Sequence, residues 1–436
     1  MNGIIAFLTQ YNHARRLNRF SNRKELEAYQ KKAVEKFLKT VLPRSTFYCS
    51  YLEKHSIQEW RQFPIIDKSI MMENFDGLNT AGIKKEEAFK VALQAEKTRD
   101  FTPKIKGITI GLSSGTSGNR GLFLVSKAEQ MAWAGNILGK VLPTSLFFGP
   151  KQKIAFFLRA NSNLYTTLNG FKIQFHFFDL FSGLEKNVAE LDEFQPTILV
   201  GPPSMLRLLA RAQKEGKLSI HPIKIVSVAE VLDPMDQAYM EDVFQQRIHQ
   251  IYQCTEGFLG FTCSHGTLHL NEDILIIEKD YLDESLGKFM PILTDFQRTT
   301  QPIIRYRLND ILTEKKDPCP CGSPYLALEY IEGRCDDLFY LKAKKEDKMV
   351  PVFPDFIRRA IITASENIEE YKVVQESNAK IHVYLLCEGN KNKIENQVRD
   401  NLYAILDQLE CVLPELTFSY GIHLEKGAKM RRIQRK

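Results

Sequence analysis

Ser113-Ser114-Gly115-Thr116-Ser117-Gly118-Asn119-Arg120-Gly121 has the composition of an anion cradle. Its three glycines let the backbone turn tightly and bring N–H groups close to a phosphate, and the hydroxyl and amide side chains add donors. Arg120 is followed by Gly121, so the segment lacks the Lys-Ser/Thr ending of the common nucleotide-binding loop. Gly/Ser/Thr clusters also form ordinary surface turns, and composition alone leaves both readings open.

The cysteines form a second constellation. Cys319-Pro320-Cys321 is a tight pair, and Cys263 stands six residues before His269. If the candidate strands 274–277 and 303–307 fold back, three thiolates and an imidazole meet, the ligand set of a closed tetrahedral Zn²⁺ site. The alternative is that these are small buried hydrophobes. Cys49, Cys254, Cys335, Cys387 and Cys411 read as packing residues.

The elements that must position these groups follow from periodicity. Apolar positions at Leu26, Tyr29, Val34, Phe37 and Leu38 predict a helix over 22–41. A β-prone run, 108–112, leads into the glycine-rich segment, and a helix begins at Ser126, an N-cap type. The runs 154–160, 172–178, 197–203, 224–230 and 250–254 predict strands, with helices over 184–194 and 204–216. Such alternation implies βαβ units and an α/β fold with mainly parallel sheets and flanking helices. Beyond Gly333 the order is a charged hairpin, a helix (354–365), strands (370–376 and 380–387), a helix (391–409) and a strand (415–421). That order suits a small α+β, ferredoxin-like domain. The expected division is a core domain, 1–335, and a C-terminal domain, 336–436.

Composition excludes several classes. Hydrophobic residues at 44% and charged residues at 26% fit a globular protein rather than a disordered one. A net charge of +6 over 436 residues is too thin to imply a nucleic-acid partner. No apolar run approaches the roughly 18 residues of a membrane helix. Eight cysteines are too sparse for a disulfide scaffold, and no basic residue precedes the first short apolar stretch, so the expected location is cytoplasmic.

Four further segments follow the cradle: Ala229-Glu230-Val231-Leu232, Tyr252-Gln253-Cys254-Thr255-Glu256-Gly257, Arg305-Tyr306-Arg307-Leu308-Asn309-Asp310 and Gly333-Arg334-Cys335-Asp336-Asp337. In this order the set resembles the adenylate-forming superfamily of acyl-CoA ligases and adenylation domains. The likeness is strongest to its phenylacetate-CoA ligase branch and the subgroup related to the synthetase that adenylates a deazaflavin coenzyme. FPIIDKSIMMENFDGLNTAGI (63–83) resembles that subgroup too, and the likeness runs from about residue 60 to the C-terminus.

The resemblance implies roles that these side chains can fill. Residues 113–121 embrace the ATP phosphates, with Ser113, Ser114, Gly115, Thr116, Ser117, Gly118 and Arg120 in contact. Ala229, Glu230 and Val231 line the adenine slot and Tyr252 packs on the base. Thr255 bonds a phosphate, Glu256 holds Mg²⁺, a cation that prefers oxygen ligands, and Asp310 accepts the ribose hydroxyls. Arg334 donates to ribose or phosphate. Asp336 matches the hinge on which a mobile C-terminal lid turns between adenylating and thioester-forming poses. Lys426-Gly427-Ala428-Lys429 matches the terminal Gly-Lys segment, with Lys429 as the working lysine and Lys426 in reserve. Some relatives in the phenylacetate-CoA ligase branch carry a comparable Cys/His cluster.

The implied activity is ATP-dependent conversion of a carboxylic acid to an acyl-adenylate, with pyrophosphate released. Transfer to a thiol of CoA or a carrier protein then releases AMP. The alternative is an adenylyl transferase that leaves AMP on an acceptor hydroxyl. A catalytically inactive nucleotide-binding protein is a third reading. Phe156, Phe157, Tyr165 and Phe258 are candidates to line the acyl pocket.

Overall fold

The computed structural model describes residues 3–16, 19–52, 55–98, 100, 102–113, 120–158, 172–422 and 431–436. They cluster into two compact units, 1–308 with 313–329, and 309–312 with 330–436.

The first unit is built on a parallel sheet. β4 (Gln152–Leu158) lies between β5 (Ile173–Asp179) and β6 (Ile198–Gly201), and β7 (Lys224–Ser227) and β8 (Ile248–Gln253) continue in parallel. Side chains alternate across the pleat, so each strand feeds two cores. Ile154, Phe156, Val200 and Val226 pack on one face with the helix Lys127–Val141. Ala155, Phe157, Leu199 and Ile225 pack on the other with the helices Leu184–Phe194, Pro203–Lys214 and Pro234–Phe244. Burial on both faces explains why β4, β6 and β7 read as continuous apolar runs.

Beyond β8 the pairing turns antiparallel. β9 (Phe258–Thr262) pairs with β8, β10 (Leu268–Leu270) with β9, and β15 (Ala327–Arg334) with β10. β12 (Lys288–Asp295) pairs with both β11 (Leu275–Asp283) and β13 (Ile303–Arg307). A smaller antiparallel sheet joins β1 (Lys104–Ile105), β2 (Ile108–Leu112) and β3 (Leu122–Val125).

Two expected helices form for the reasons given. The helix Arg23–Val41 starts where the Asn22 side chain accepts from Glu25 N, and it buries Leu26, Val34, Phe37, Leu38 and Val41. The helix Lys127–Val141 opens with a capping box: Ser126 accepts from Glu129 N while the Glu129 carboxylate accepts from Ser126 N. Its Gly135 meets the helix Gly3–Arg15 so closely that a Cβ there would stand 2.3 Å from the Phe7 carbonyl oxygen. No helix among the described residues is long and apolar enough to cross a membrane.

β14 (Asp310–Glu314) and β15 carry the chain between the units. The second unit holds the hairpin β16 (Phe339–Lys342)–β17 (Met349–Val352) and a four-stranded sheet, β20-β19-β18-β21. β18 (Ile368–Ser377) and β19 (Lys380–Cys387) are antiparallel; β20 (Glu415–Tyr420) runs parallel to β19, and β21 (Ile433–Arg435) parallel to β18. Helices Pro354–Ile362 and Lys391–Gln408 belong to it, the latter burying Ile394, Val398, Leu402 and Leu406 at every fourth position. The order of elements agrees with the sequence reading as far as β20. The fourth strand of the sheet is β21, whose three residues, one of them glutamine and one arginine, carry no strand periodicity.

Candidate functional site

The cradle segment follows β2 and precedes β3, and its ends, Ser113 and Gly121, are tied together. Ser113 N donates to Gly121 O at 2.8 Å, and Gly121 N donates to Ser113 Oγ at 2.7 Å. Lys68 Nζ donates to the same Oγ at 3.2 Å. A Cβ on Gly121 would stand 3.2 Å from Lys68 Cε, so the missing side chain leaves the room through which the lysine reaches Ser113. Lys68 is placed by the short helix Lys68–Glu73, whose N-cap Asp67 accepts from Ile70 N. Arg120 donates to Ser113 O at 3.5 Å and pairs with Glu96. Ser114, Gly115, Thr116, Ser117, Gly118 and Asn119 lie outside the described residues.

The loops after β7 and β8 leave the same, carboxyl-terminal end of the parallel sheet, where α/β proteins bind ligands. After β7, Ala229 adopts φ +68° in a tight turn closed by Glu230 N donating to Val228 O at 2.9 Å. Glu230 Oε2 accepts from Ser204 N at the start of the helix Pro203–Lys214, and Val231 is exposed. Tyr252 is buried on β8.

The next turn, closed by Cys254 N donating to Gly257 O, presents Thr255 and Glu256. Each carboxylate oxygen of Glu256 has one donor: Thr255 Oγ1 to Oε2 at 2.8 Å and Tyr306 OH to Oε1 at 3.0 Å. A carboxylate has about four acceptor positions, so two donors leave capacity for a cation. Burial and the adjacent Glu256 push the Tyr306 phenol far above its ordinary range, which keeps it protonated as a donor. Its strand, β13, is registered by Ile66: Ile66 N donates to Arg305 O, and Arg307 N donates to Ile66 O.

Asp310, Arg334 and Asp336 belong to the second unit. Asp310 opens β14 and Arg334 closes β15. Asp336 Oδ2 accepts from Asn309 Nδ2 at 2.8 Å. Its neighbour Asp337 is buried and pairs with Arg431, two residues before β21. Lys426 and Lys429 lie outside the described residues.

Cys263, His269, Cys319 and Cys321 converge, their ligand atoms all lying within 4.8 Å of one another. Cys263 Sγ is 3.7 Å from Cys319 Sγ, and Cys321 Sγ is 3.4 Å from His269 Nε2. With Zn–S near 2.3 Å and Zn–N near 2.0 Å, tetrahedral edges come to about 3.8 and 3.5 Å, so the donors fit zinc. His269 Nδ1 lies 3.1 Å from the Tyr325 carbonyl oxygen, which selects the tautomer whose free Nε2 faces the sulfurs. Burial, with the neighbouring Cys319 and Cys263 sulfurs, pushes the Cys321 thiol up to about 12. The elements that assemble the cluster differ from those expected. The β9–β10 turn and β10 bring in Cys263 and His269, and the segment before β15 brings in Cys319 and Cys321.

Three residues at the site carry no role in the sequence reading. Lys68 and Tyr306 stand inside quoted segments, but a lysine or tyrosine signals nothing until a partner far along the chain is known. Arg298 is the third: it donates to Thr255 O, Glu256 O and Leu124 O. The expected acyl-pocket phenylalanines divide. Phe156 and Phe258 share one core, while Phe157 stacks on Phe178 in the other, and Tyr165 lies outside the described residues.

This architecture, a large mixed α/β unit with a smaller C-terminal one, is a fold shared with solved acid-CoA ligases. The chain is similar to 2-hydroxyisobutyryl-CoA ligase in the postadenylation state in complex with R3-HIB-AMP, with a TM-score of 0.66. The identity is 15%, over 95% of this chain and 89% of that one. It is similar as well to the anthranilate CoA ligase AuaEII in complex with anthranoyl-AMP, with a TM-score of 0.54 and 13% identity over 74% of this chain and 66% of that one. In sequence it is 23% identical over 423 residues to protein CapK of Staphylococcus aureus, covering 90% of this chain and 85% of that protein. No family model matches the chain.

Proposed function

We propose that the protein uses ATP to convert a carboxylic acid to an acyl-adenylate and passes the acyl group to a thiol of CoA or a carrier protein. The observation that carries this reading is Glu256, held by Thr255 and Tyr306 at the carboxyl end of the parallel sheet of a ligase fold. Its branch, in this reading, is the phenylacetate-CoA ligase-like one.

The first half-reaction needs no protein nucleophile. The substrate carboxylate attacks the α-phosphorus, the bond to the bridging oxygen breaks, and pyrophosphate departs. Positioning and charge stabilisation therefore carry it. The 113–121 turn and Lys68 receive the phosphates, Tyr252 packs on the base beside Ala229–Val231, and Asp310 and Arg334 hold the ribose. Glu256 would hold Mg²⁺, which neutralises phosphate charge when bound, and Thr255 bonds a phosphate. Lys429 supplies the mobile cation, and Asp336 is the hinge of the lid. The Cys263–His269–Cys319–Cys321 cluster is a structural Zn²⁺ site with all four ligands from protein.

Pyrophosphate exchange into ATP over a panel of aromatic, fatty and amino acids tests the reading, followed by addition of CoA or a carrier protein. Exchange with one class, then AMP release on thiol addition, is the expected result. AMP retained on an acceptor hydroxyl would replace it with adenylyl transfer, and failure to bind Mg·ATP would overturn both.

A further inference from the structure

Residues Arg298-Thr299-Thr300-Gln301 sit between β12 and β13 and bond outward in three directions. Toward the metal-binding turn, Arg298 Nη1 donates to Thr255 O at 3.2 Å and to Glu256 O at 3.3 Å. Toward β3, the strand that leaves the cradle, Arg298 Nη2 donates to Leu124 O at 3.3 Å. Gln301 brackets the same strand, accepting from Leu124 N at 2.9 Å and donating to Leu122 O at 3.1 Å. Toward the following helix, the Glu129 carboxylate accepts from Thr299 N, Thr300 N and Thr300 Oγ1 at 2.6, 2.8 and 2.6 Å. Glu129 is buried, so this third attachment is a fixed anchor.

We propose that this segment is a bracket that sets the spacing between the phosphate cradle and the Thr255–Glu256 turn, with Arg298 as its positioning residue. The inference rests on the proposed nucleotide reading and adds to it. The cradle and the turn come from sequence positions more than 130 residues apart and share no strand pairing. A planar guanidinium can donate from separate nitrogens to the turn and to β3, the strand that leaves the cradle, whereas an ammonium is a single point. Arg298 touches neither nucleotide nor acid in this scheme. It ties the turn to the strand on which the cradle ends, and a shift of one ångström between binding surfaces is enough to lose about 100-fold in rate.

The test compares wild type, Arg298→Ala and Arg298→Lys in three measurements: Mg·ATP binding against Mg²⁺ concentration, pyrophosphate exchange with a saturating acid, and thermal unfolding. The bracket predicts that Arg298→Ala raises the Mg²⁺ concentration for half-saturation about tenfold and lowers kcat by about 30-fold, with the acid KM unchanged. Millimolar ethylguanidinium, filling the vacated space, should restore part of both losses. Arg298→Lys, which keeps the charge and the stem, covers the case in which the alanine variant does not fold, and should show the same direction. Unchanged Mg²⁺ half-saturation in the folded variant, whether or not thermal stability falls, would overturn the bracket while leaving the nucleotide reading standing. Wild-type protein that does not bind Mg·ATP would remove both.

Discussion

Removing one oxygen atom tests the geometry at Glu256 most directly. Tyr306→Phe keeps the ring, which is 2% exposed, and deletes the hydroxyl that donates to Glu256 Oε1 at 3.0 Å. A buried hydrogen bond to a charged acceptor is worth about 1.5–3 kcal/mol. If all of it goes to holding Glu256 in its metal-binding pose, the Mg²⁺ requirement rises by about 10- to 150-fold, at 1.4 kcal/mol per factor of ten. Part of the loss will appear as stability instead, because Oε1 is left buried with one donor fewer. The assay is a Mg²⁺ titration of pyrophosphate exchange at saturating acid, in four proteins: wild type, Tyr306→Phe, Glu256→Gln and the double variant. Glu256→Gln alone should weaken Mg·ATP use by about 100-fold. The double variant should be no worse than Glu256→Gln, since the phenol acts only through the carboxylate. Full additivity of the two losses would refute the reasoning, because the hydroxyl would then be acting elsewhere.

Purified protein should contain about one equivalent of zinc, and Cys321→Ser should release it while lowering thermal stability more than the rate per folded molecule; metal analysis without zinc refutes the site. Lys429→Ala should slow acyl-adenylate formation by about 100-fold and spare thioester formation from supplied acyl-adenylate. Asp336→Pro should do the reverse, and equal slowing of both steps in either variant would contradict the division of labour. Burial pushes Asp295 up from 3.8 to about 6, so the folded state loses stability as pH rises from about 4 to about 6, and the loss is complete above that. Asp295→Asn escapes this cost, so its stability advantage over wild type should grow across that interval, to at most about 3 kcal/mol, and then level off. An advantage independent of pH in unfolding curves would show that Asp295 is not ionising there.

What the sequence makes legible follows from the range of the interaction. The helix from Ser126 is readable because its capping box spans three residues, and β4, β6 and β7 because burial on both faces makes each a short apolar run. The Cys/His set is readable because its residue types are rare, although the antiparallel pairing of β9, β10 and β15 that gathers it is not. Arg298 and Tyr306 are opaque for the opposite reason. Arginine and tyrosine are common, and their partners lie 43 and 50 residues away. β21 is too short to carry a pattern and exists only because β18 offers it an edge.

That last strand changes how the lysine of the C-terminal segment must be regarded. β20 and β21 are the two outer strands of their sheet, three strand spacings or about 14 Å apart. The registers place the end of β20 and the start of β21 at the same end of the sheet. Tyr420, the last residue of β20, and Ile433, the first of β21, therefore stand on opposite edges at one end of the sheet, and the sequence between them, which contains Lys426 and Lys429, is attached to the same small unit on both sides. Chemical rescue of Lys429→Ala by a supplied amine therefore compares a group held to the protein at two strands with one that diffuses freely, and the amine concentration needed measures what that attachment contributes.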